Sequence, residues 1–401
     1  MPRATHAFLA IFACLLPGLA FAQAPPSPAP LSFMDDSTST LDLNTASRNQ
    51  PNPPSTNPNR TSDRRSRLAR MPKMYGDMLI IGKAYIDDSS FGVDGKTTFP
   101  VPGLAKVAEN NSPVPQDRIF FIQNHYHNAV QTHQDIISAG EVYAEGNVDR
   151  STLGIEKTFF NKWASLELRL PFLTTGDLTT DSPIAPSNAE FDGVGLTLKS
   201  LLYESHNCAV SCGVGSMIPV GDETRFSTSL GSYVLDHETF HLSPFLAGSR
   251  TFGDTFFGQG FIQIDFPIDD DDVTATVSGT TYDAGDVAPP TLLHLDGSVG
   301  AWLYRNERSR FLTGFASLLE LHYTRSISDV ETVSFEDPLP ITIADFTLGT
   351  PGEIELFNLT AGLHFEIRRS TTFRVAAVAP LFDGTRRAFD TEVQFSLNRH
   401  F

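Results

Sequence analysis

The last thirteen residues, "FDTEVQFSLNRHF", change character at every step. Phe389, Val393, Phe395, Leu397 and Phe401 fall on odd positions, while Asp390, Glu392, Gln394, Ser396, Asn398 and His400 fall on even ones. A period of two is that of a β-strand with one apolar and one wet face. The same pattern recurs upstream. In "FNLTAGLHFEIR", Phe357, Leu359, Leu363, Phe365 and Ile367 oppose Asn358, Thr360, His364, Glu366 and Arg368, and in "WASLELRLPF", Leu166, Leu168, Leu170 and Phe172 oppose Ser165, Glu167 and Arg169. Candidate strands fall at 117–127, 150–159, 163–172, 191–203, 207–219, 233–249, 254–266, 292–304, 310–324, 353–368, 372–380 and 389–401.

Alternation alone fits a half-buried soluble sheet as well as a membrane barrel, and the connections separate the two. Tight joins near Asn161, His206, Gly253, Asn306 and Arg369 alternate with long ones at 128–149, 173–190, 267–291 and 325–352. Short turns at one end and long loops at the other are the habit of an outer-membrane barrel, with the C-terminus at the short-turn end. The sequence therefore predicts an all-β fold: an antiparallel transmembrane β-barrel of about twelve strands over 117–401, preceded by an N-terminal disordered arm.

The start of the chain fits export. Arg3 and His6, the apolar run Ala7–Leu19 and the small-x-small Ala20-Phe21-Ala22 form a secretory leader over 1–22. Residues 23–72, dense in Pro, Ser and Asn, read as a disordered arm whose basic end, Arg60–Lys73, is a solvated charge run. Residues 73–116 read as a plug or periplasmic segment. Outside the leader, no stretch is long and apolar enough for a membrane helix. Cys208 and Cys212 on one strand would stand roughly 13 Å apart, too far for a disulfide. With 29 basic against 47 acidic side chains and a net charge of -18, the chain repels nucleic acid.

Three motifs suggest chemistry and each has a plainer reading. His237-Glu238-Thr239-Phe240-His241 spells the HExxH of a zinc protease, which needs a helix so that both imidazoles reach one ion. Pro244 follows closely and the segment fills a strand slot, so a strand near the outer rim is expected. His294, Asp296 and Ser298 share a face as a triad would, but strung along one strand they cannot meet. Asp269–Asp272 with Asp283 and Asp286 could collect calcium, yet they lack the Gly turn and terminal Glu of an EF-hand and read as a solvated loop.

What remains is a wet interior. Parity assigns Glu167, Arg169, Lys199, Gln263, Asp265, Glu320, His322, His364, Glu366, Arg368, Arg374, Glu392 and Gln394 to the lumen, with His294 and Asp296 beside them. Twelve strands lie between the filled eight-strand barrel and the open porin, so a narrow selective path is expected.

The stretches "DRIFFIQNHYHNAV", "STLGIEKTFFNKWASLELRLPF", "HLSPFLAG" with "FGQGFIQIDFPID", and the closing strand resemble a group of outer-membrane transporters from planctomycete-type bacteria, similar to barrel proteins named after the meta-pathway of phenol degradation. The likeness covers about Asp117–Phe401 and rests on strand patterns without a catalytic signature. It implies a barrel that passes small molecules, aromatic compounds among them, and it carries over no functional residues. The terminal Phe401 resembles the aromatic signal read by barrel-assembly machinery, although Arg399 stands where such strands usually place another aromatic.

The function expected from the sequence is a non-enzymatic channel or transporter, without a cofactor, whose partners are outer-membrane lipid, small solutes and the assembly machinery. A plugged barrel anchoring long acidic loops as an adhesin is the alternative, and a zinc metalloprotease the third reading.

Overall fold

The computed structural model describes residues 68–401 apart from 78–80, 89–92, 102, 137–139, 176–188, 221–222, 228–230, 330, 337–343, 349–352 and 383–386. The leader and residues 23–67 of the arm lie outside the described residues.

Twelve strands form the ring: β1 (Arg118–Ile136), β2 (Gly140–Phe159), β3 (Ala164–Thr175), β4 (Val194–Glu204), β5 (Cys208–Ile218) and β6 (His241–Phe252). They are followed by β7 (Phe256–Pro267), β8 (Leu292–Arg305), β9 (Leu312–Ser326), β10 (Glu355–Ile367), β11 (Thr371–Pro380) and β12 (Thr391–His400). Each pairs antiparallel with the next. The ring closes where β12 pairs with β1, Phe395 opposite Gln123. Closure leaves no barrel strand with an unpaired edge, the condition for placing a sheet in hydrocarbon.

Alternation builds the two faces. Along β12, Val393, Phe395 and Leu397 are exposed while Glu392, Gln394 and Asn398 are buried. On β1, whose first residues are apolar on both sides, Ile119 and Phe121 face out and Phe120 and Ile122 face in. Inward Phe120 lies over Gly154 of β2, where a Cβ would stand 2.2 Å from the ring; only glycine admits it. Aromatic side chains gather near the short turns, among them Phe160, Trp163, Tyr203, Phe256 and Phe311, and again toward the long loops, with Phe172 and Phe266. Phe256 and Phe266 share one face of β7. Ten residues of tilted strand rise about 25 Å along the axis, the height of an outer-membrane apolar band.

Two expectations are corrected. Residues 128–136 and 140–149 are not loop: β1 and β2 run through them, paired from Val130–Gly146 to Ile136–Gly140 and irregular between Tyr126 and Val130. The strand expected over 233–249 is two strands in different sheets. Residues Gly231–Asp236 join an outer four-stranded sheet with Thr224–Ser227, Asp271–Val277 and Thr280–Val287, while β6 begins at His241.

A hairpin ahead of the barrel, Ile81–Asp88 with Val93–Pro100, reaches the same outer end. Its second strand pairs with the top of β1, and its first with Ala344–Leu348, which pairs in turn with Val333–Glu336. Ala84 and Phe99 of the hairpin pack with Phe226, Tyr233, Leu235, Val273, Ala275 and Leu348 in an apolar cluster. The long-loop end is thus covered by a small hydrophobic core of its own.

Candidate functional site

The chain ahead of β1 passes through the ring twice. At the short-turn mouth, Arg70 bonds Glu366 at 2.6 Å and Glu307 at 3.1 Å. Higher up, the backbone amides of Tyr75 and Gly76 donate to Glu320, and Asp77 accepts from Asn358 near the top of β10. After the outer hairpin the chain returns, with the Gly103 amide donating to Asp192, the Val107 amide to Gln263 and the Gln116 amide to Glu156 near the foot of β2. The two passes also hold each other: Met74 N donates to Asn111 O, and Asn110 N to Tyr75 O. Leu68, Met71 and Lys73 are buried, so residues 68–72, expected in the arm, are packed inside the barrel, and Lys73 lies in the interior instead of ending a solvated run.

Polar wall residues clamp this segment. Lys106 pairs with Asp77 on the opposite pass and, at 2.8 Å, with Asp296 on β8. Glu109 meets Arg150 at 3.3 Å and Arg169 at 3.2 Å, while Lys199 donates to Asn111 and to the Ser112 carbonyl. Arg374 donates to Asn110 and to the Lys73 carbonyl, its guanidinium 3.9 Å from the centre of the Tyr75 ring. That ring rests on Gly362 of β10, where a Cβ would come within 2.3 Å. The wall is also paired within itself, Arg118 with Glu156 and Glu167, and His322 with Asp296.

Glu167, Arg169, Lys199, Gln263, Asp265, Glu320, His322, His364, Glu366, Arg374, Glu392 and Gln394 all face inward and are buried, as are His294 and Asp296. Arg368 does not join them: it is exposed at the β10–β11 turn with φ of 50°, because the strand ends at Ile367 and parity ends with it. Arg118, Arg150 and Glu156 were missed. They lie on the inward parity of β1 and β2, and the doubly apolar start of β1 hid that frame. Asp77, Lys106 and Glu109 carry no periodic signal at all.

The chemical motifs resolve as local contacts. His237 bonds Thr224 and lies 3.5 Å from Asp271, whereas His241 lies 3.1 Å from Asp265. The two imidazoles thus serve different carboxylates, with no helix between them. His294 meets Thr324, Asp296 meets His322, and Ser298 donates to Glu320, so this trio disperses across β9. Asp271 accepts from the amide and hydroxyl of Thr239, while Asp272 lies opposite Asp286 in the outer sheet. Burial pushes Asp271 up, but its bonds from His237 and Thr239 outweigh this and hold it below the ordinary carboxylate value. Among the described residues, one buried group has metal-ligand spacing, Asp77, Asp296 and His322, and the Lys106 ammonium already bonds both of its carboxylates.

A closed antiparallel ring, apolar outside between two aromatic belts and charged within, is a transmembrane β-barrel of the outer-membrane type. No protein-family model matches the chain, and neither does any curated protein. In fold it is similar to an outer membrane channel from Pseudomonas putida F1 (TM-score 0.46, 10% identity, over 72% of this chain and 96% of that one). It is also similar to the Pseudomonas putida toluene transporter TodX (0.38, 9%, 80% and 88%) and to the NanC porin (0.37, 8%, 71% and 98%).

Proposed function

We propose that the protein is a gated outer-membrane channel for small solutes, opened when the two lumen passes, residues 68–77 and 103–116, shift against the wall while the outer hairpin stays paired. The observation that carries this reading is the chemistry of the contact: ion pairs and hydrogen bonds run along both passes, between small apolar clusters at Leu68 and Val114, Met71 and Tyr75, Met74 and Val107, and Leu104. Buried pairs recover little more than the desolvation they cost, and water can replace them. Such an interface seals the lumen, and its polar part can be rehydrated as it separates, while its apolar contacts are divided among small clusters. Asn124 Oδ1, Gln259 Oε1, Arg374 Nε and Glu392 Oε2 are buried without a protein partner, which suits a lumen that admits water. In this reading Glu167, Arg169, Lys199, Gln263, Asp265, Glu320, His322, His364, Glu366, Arg374, Glu392 and Gln394 line the path. Residues 1–22 direct export and are removed, 23–67 form an arm, 117–401 form the barrel, and Phe401 is the signal for assembly. The solutes include aromatic compounds, as the resemblance of the sequence implies.

The test is conductance of the full chain in planar bilayers. A Cβ on Gly215 would lie 3.1 Å from Cγ2 of Val107, so Val107→Cys with Gly215→Cys, in a background of Cys208→Ser and Cys212→Ser, gives a reducible tie between segment and wall. Openings that vanish on oxidation and return with reductant support the gate. A chain silent under both conditions favours the second reading, a plugged barrel serving as a surface anchor or adhesin, for which the filled lumen also speaks.

A further inference from the structure

A cavity of about 170 Å³ lies at the short-turn mouth, between the start of the lumen segment and the feet of β10, β11 and β12. It opens beside Lys162, Arg369 and Phe401, which are exposed at the rim. Three wall side chains lining it are buried yet incompletely bonded. His364 has no hydrogen-bond partner on either ring nitrogen, Thr372 has none on its hydroxyl, and Glu366, whose Oε1 accepts from Arg70, has none on Oε2. Gln116 Oε1 of the lumen segment is a fourth such group in the same cavity; unsatisfied buried polar groups each call for a partner, and four in one cavity point to a shared one.

Charge says which kind. Lys73 also lines the cavity and is buried, and its ammonium reaches only the His400 ring, at 3.2 Å. It has no carboxylate within ion-pair distance among the described residues, whereas Arg70, Lys162 and Arg369 are each paired with one. Arg374, the next buried cation inward, likewise bonds only neutral oxygens. A buried amine without a counter-ion sheds its proton, and an anion bound beside it would hold it as the ammonium and gain a charge-assisted hydrogen bond. Met71, Pro115 and the Phe401 ring supply an apolar side to the cavity, which an inorganic ion would leave unused, while Glu366 Oε2 offers an acceptor to a hydroxyl.

We propose that this cavity binds a small organic carboxylate carrying a hydroxyl group, its carboxylate on Lys73, His364 and Thr372, its hydroxyl donating to Glu366, and its apolar body against Met71 and Phe401. This names a solute class for the channel reading and rests on that reading only for its role in transport. The bound anion spans segment and wall where the segment enters the barrel, so occupancy is coupled to the gate.

The chain has two tryptophans, and the Trp302 ring stands edge-on to His364 at 5.7 Å. In a Trp163→Phe background the emission of the full-length, detergent-solubilised protein therefore reports on this cavity. Titration with 4-hydroxybenzoate should change that emission saturably, with benzoate weaker by about threefold and 4-hydroxybenzyl alcohol and inorganic phosphate weaker by about tenfold or more, as expected for losing a neutral or a charge-assisted hydrogen bond. Lys73→Met should weaken 4-hydroxybenzoate by about tenfold, and the gentler Thr372→Val by about threefold, in protein that retains heat-modifiable migration. Absence of a saturable change, equal affinity for the alcohol, tighter binding of phosphate, or indifference to both substitutions would each overturn the assignment. Binding without bilayer conductance would leave the site standing and remove the channel; conductance without binding would do the reverse.

Discussion

Lys106 bears on the gate more directly than any other side chain. Its ammonium joins the two passes of the lumen segment through Asp77 and ties both to the wall through Asp296. Replacing it by Met leaves the buried carboxylates of Asp77 and Asp296 to share the His322 ring alone, and removing one partner from a buried ionic cluster costs up to roughly 3–5 kcal/mol. Because the barrel is held independently by its own ladders, that cost falls on the seated position of the segment. Lys106→Met should therefore raise the open fraction in bilayers severalfold while unboiled migration on gels stays unchanged; an equally quiet channel would show that this contact does not hold the gate. Arg399 illustrates a milder accommodation. It stands on the lipid-facing parity of β12, but its guanidinium bends to Ser370 and Thr371 at the neighbouring turn, so a charge at the membrane edge needs no hydrocarbon around it.

At the scale of elements, the outer sheet depends on one carboxylate. Asp271 holds the link between Gly231–Asp236 and β6 through Thr239, and its proton affinity is depressed in the folded protein. A depressed carboxylate contributes stability above its unfolded value of about 3.9 that is lost as pH falls through the folded value. The protection factors of the amides in 237–240, exchange rates taken relative to the unstructured chain at each pH, should thus be steady from pH 8 to 5 and fall only below about pH 4; Asp271→Asn should show low protection throughout. Protection that falls already between pH 7 and 5 would mean another group governs the link. All twelve barrel strands were legible because lipid imposes an apolar residue at every second position. Where β1 and β2, 19 and 20 residues long, rise beyond the bilayer, that demand ends, and Thr132, Gln134, Asp135 and Glu141 read as loop although they are strand. The hairpin Ile81–Asp88 with Val93–Pro100 left only a weak signal: its inward positions carry small or polar residues, Gly82, Ala84, Gly95 and Thr97, with Phe99 the one large apolar side chain among the described buried ones. Inward residues were legible from parity wherever one face was plainly apolar, but what they touch was not, since the contacts depend on how the lumen segment threads the ring and join positions from 22 to 301 residues apart.

For the whole molecule, the wall and its filling are one polypeptide, joined without a break at Asp117. Deleting Phe401, whose ring lies at the rim 5.1 Å from the Lys157 ammonium, should lower the yield of heat-modifiable barrel in the outer membrane severalfold while leaving the conductance of the protein that does assemble unchanged. Normal yields would show that assembly reads another feature. The outer hairpin has a consequence of a different kind. It is stitched to β1 on one side and to Ala344–Leu348 on the other, beneath a lid of loop side chains drawn from between β5 and β10. A hairpin paired before the ring closes would make the seam between β12 and β1 zip last, around a finger already in place. Pulse-chase proteolysis should accordingly find residues 68–116 sheltered no later than the seam itself, and the order of manufacture is written into the shape of the product.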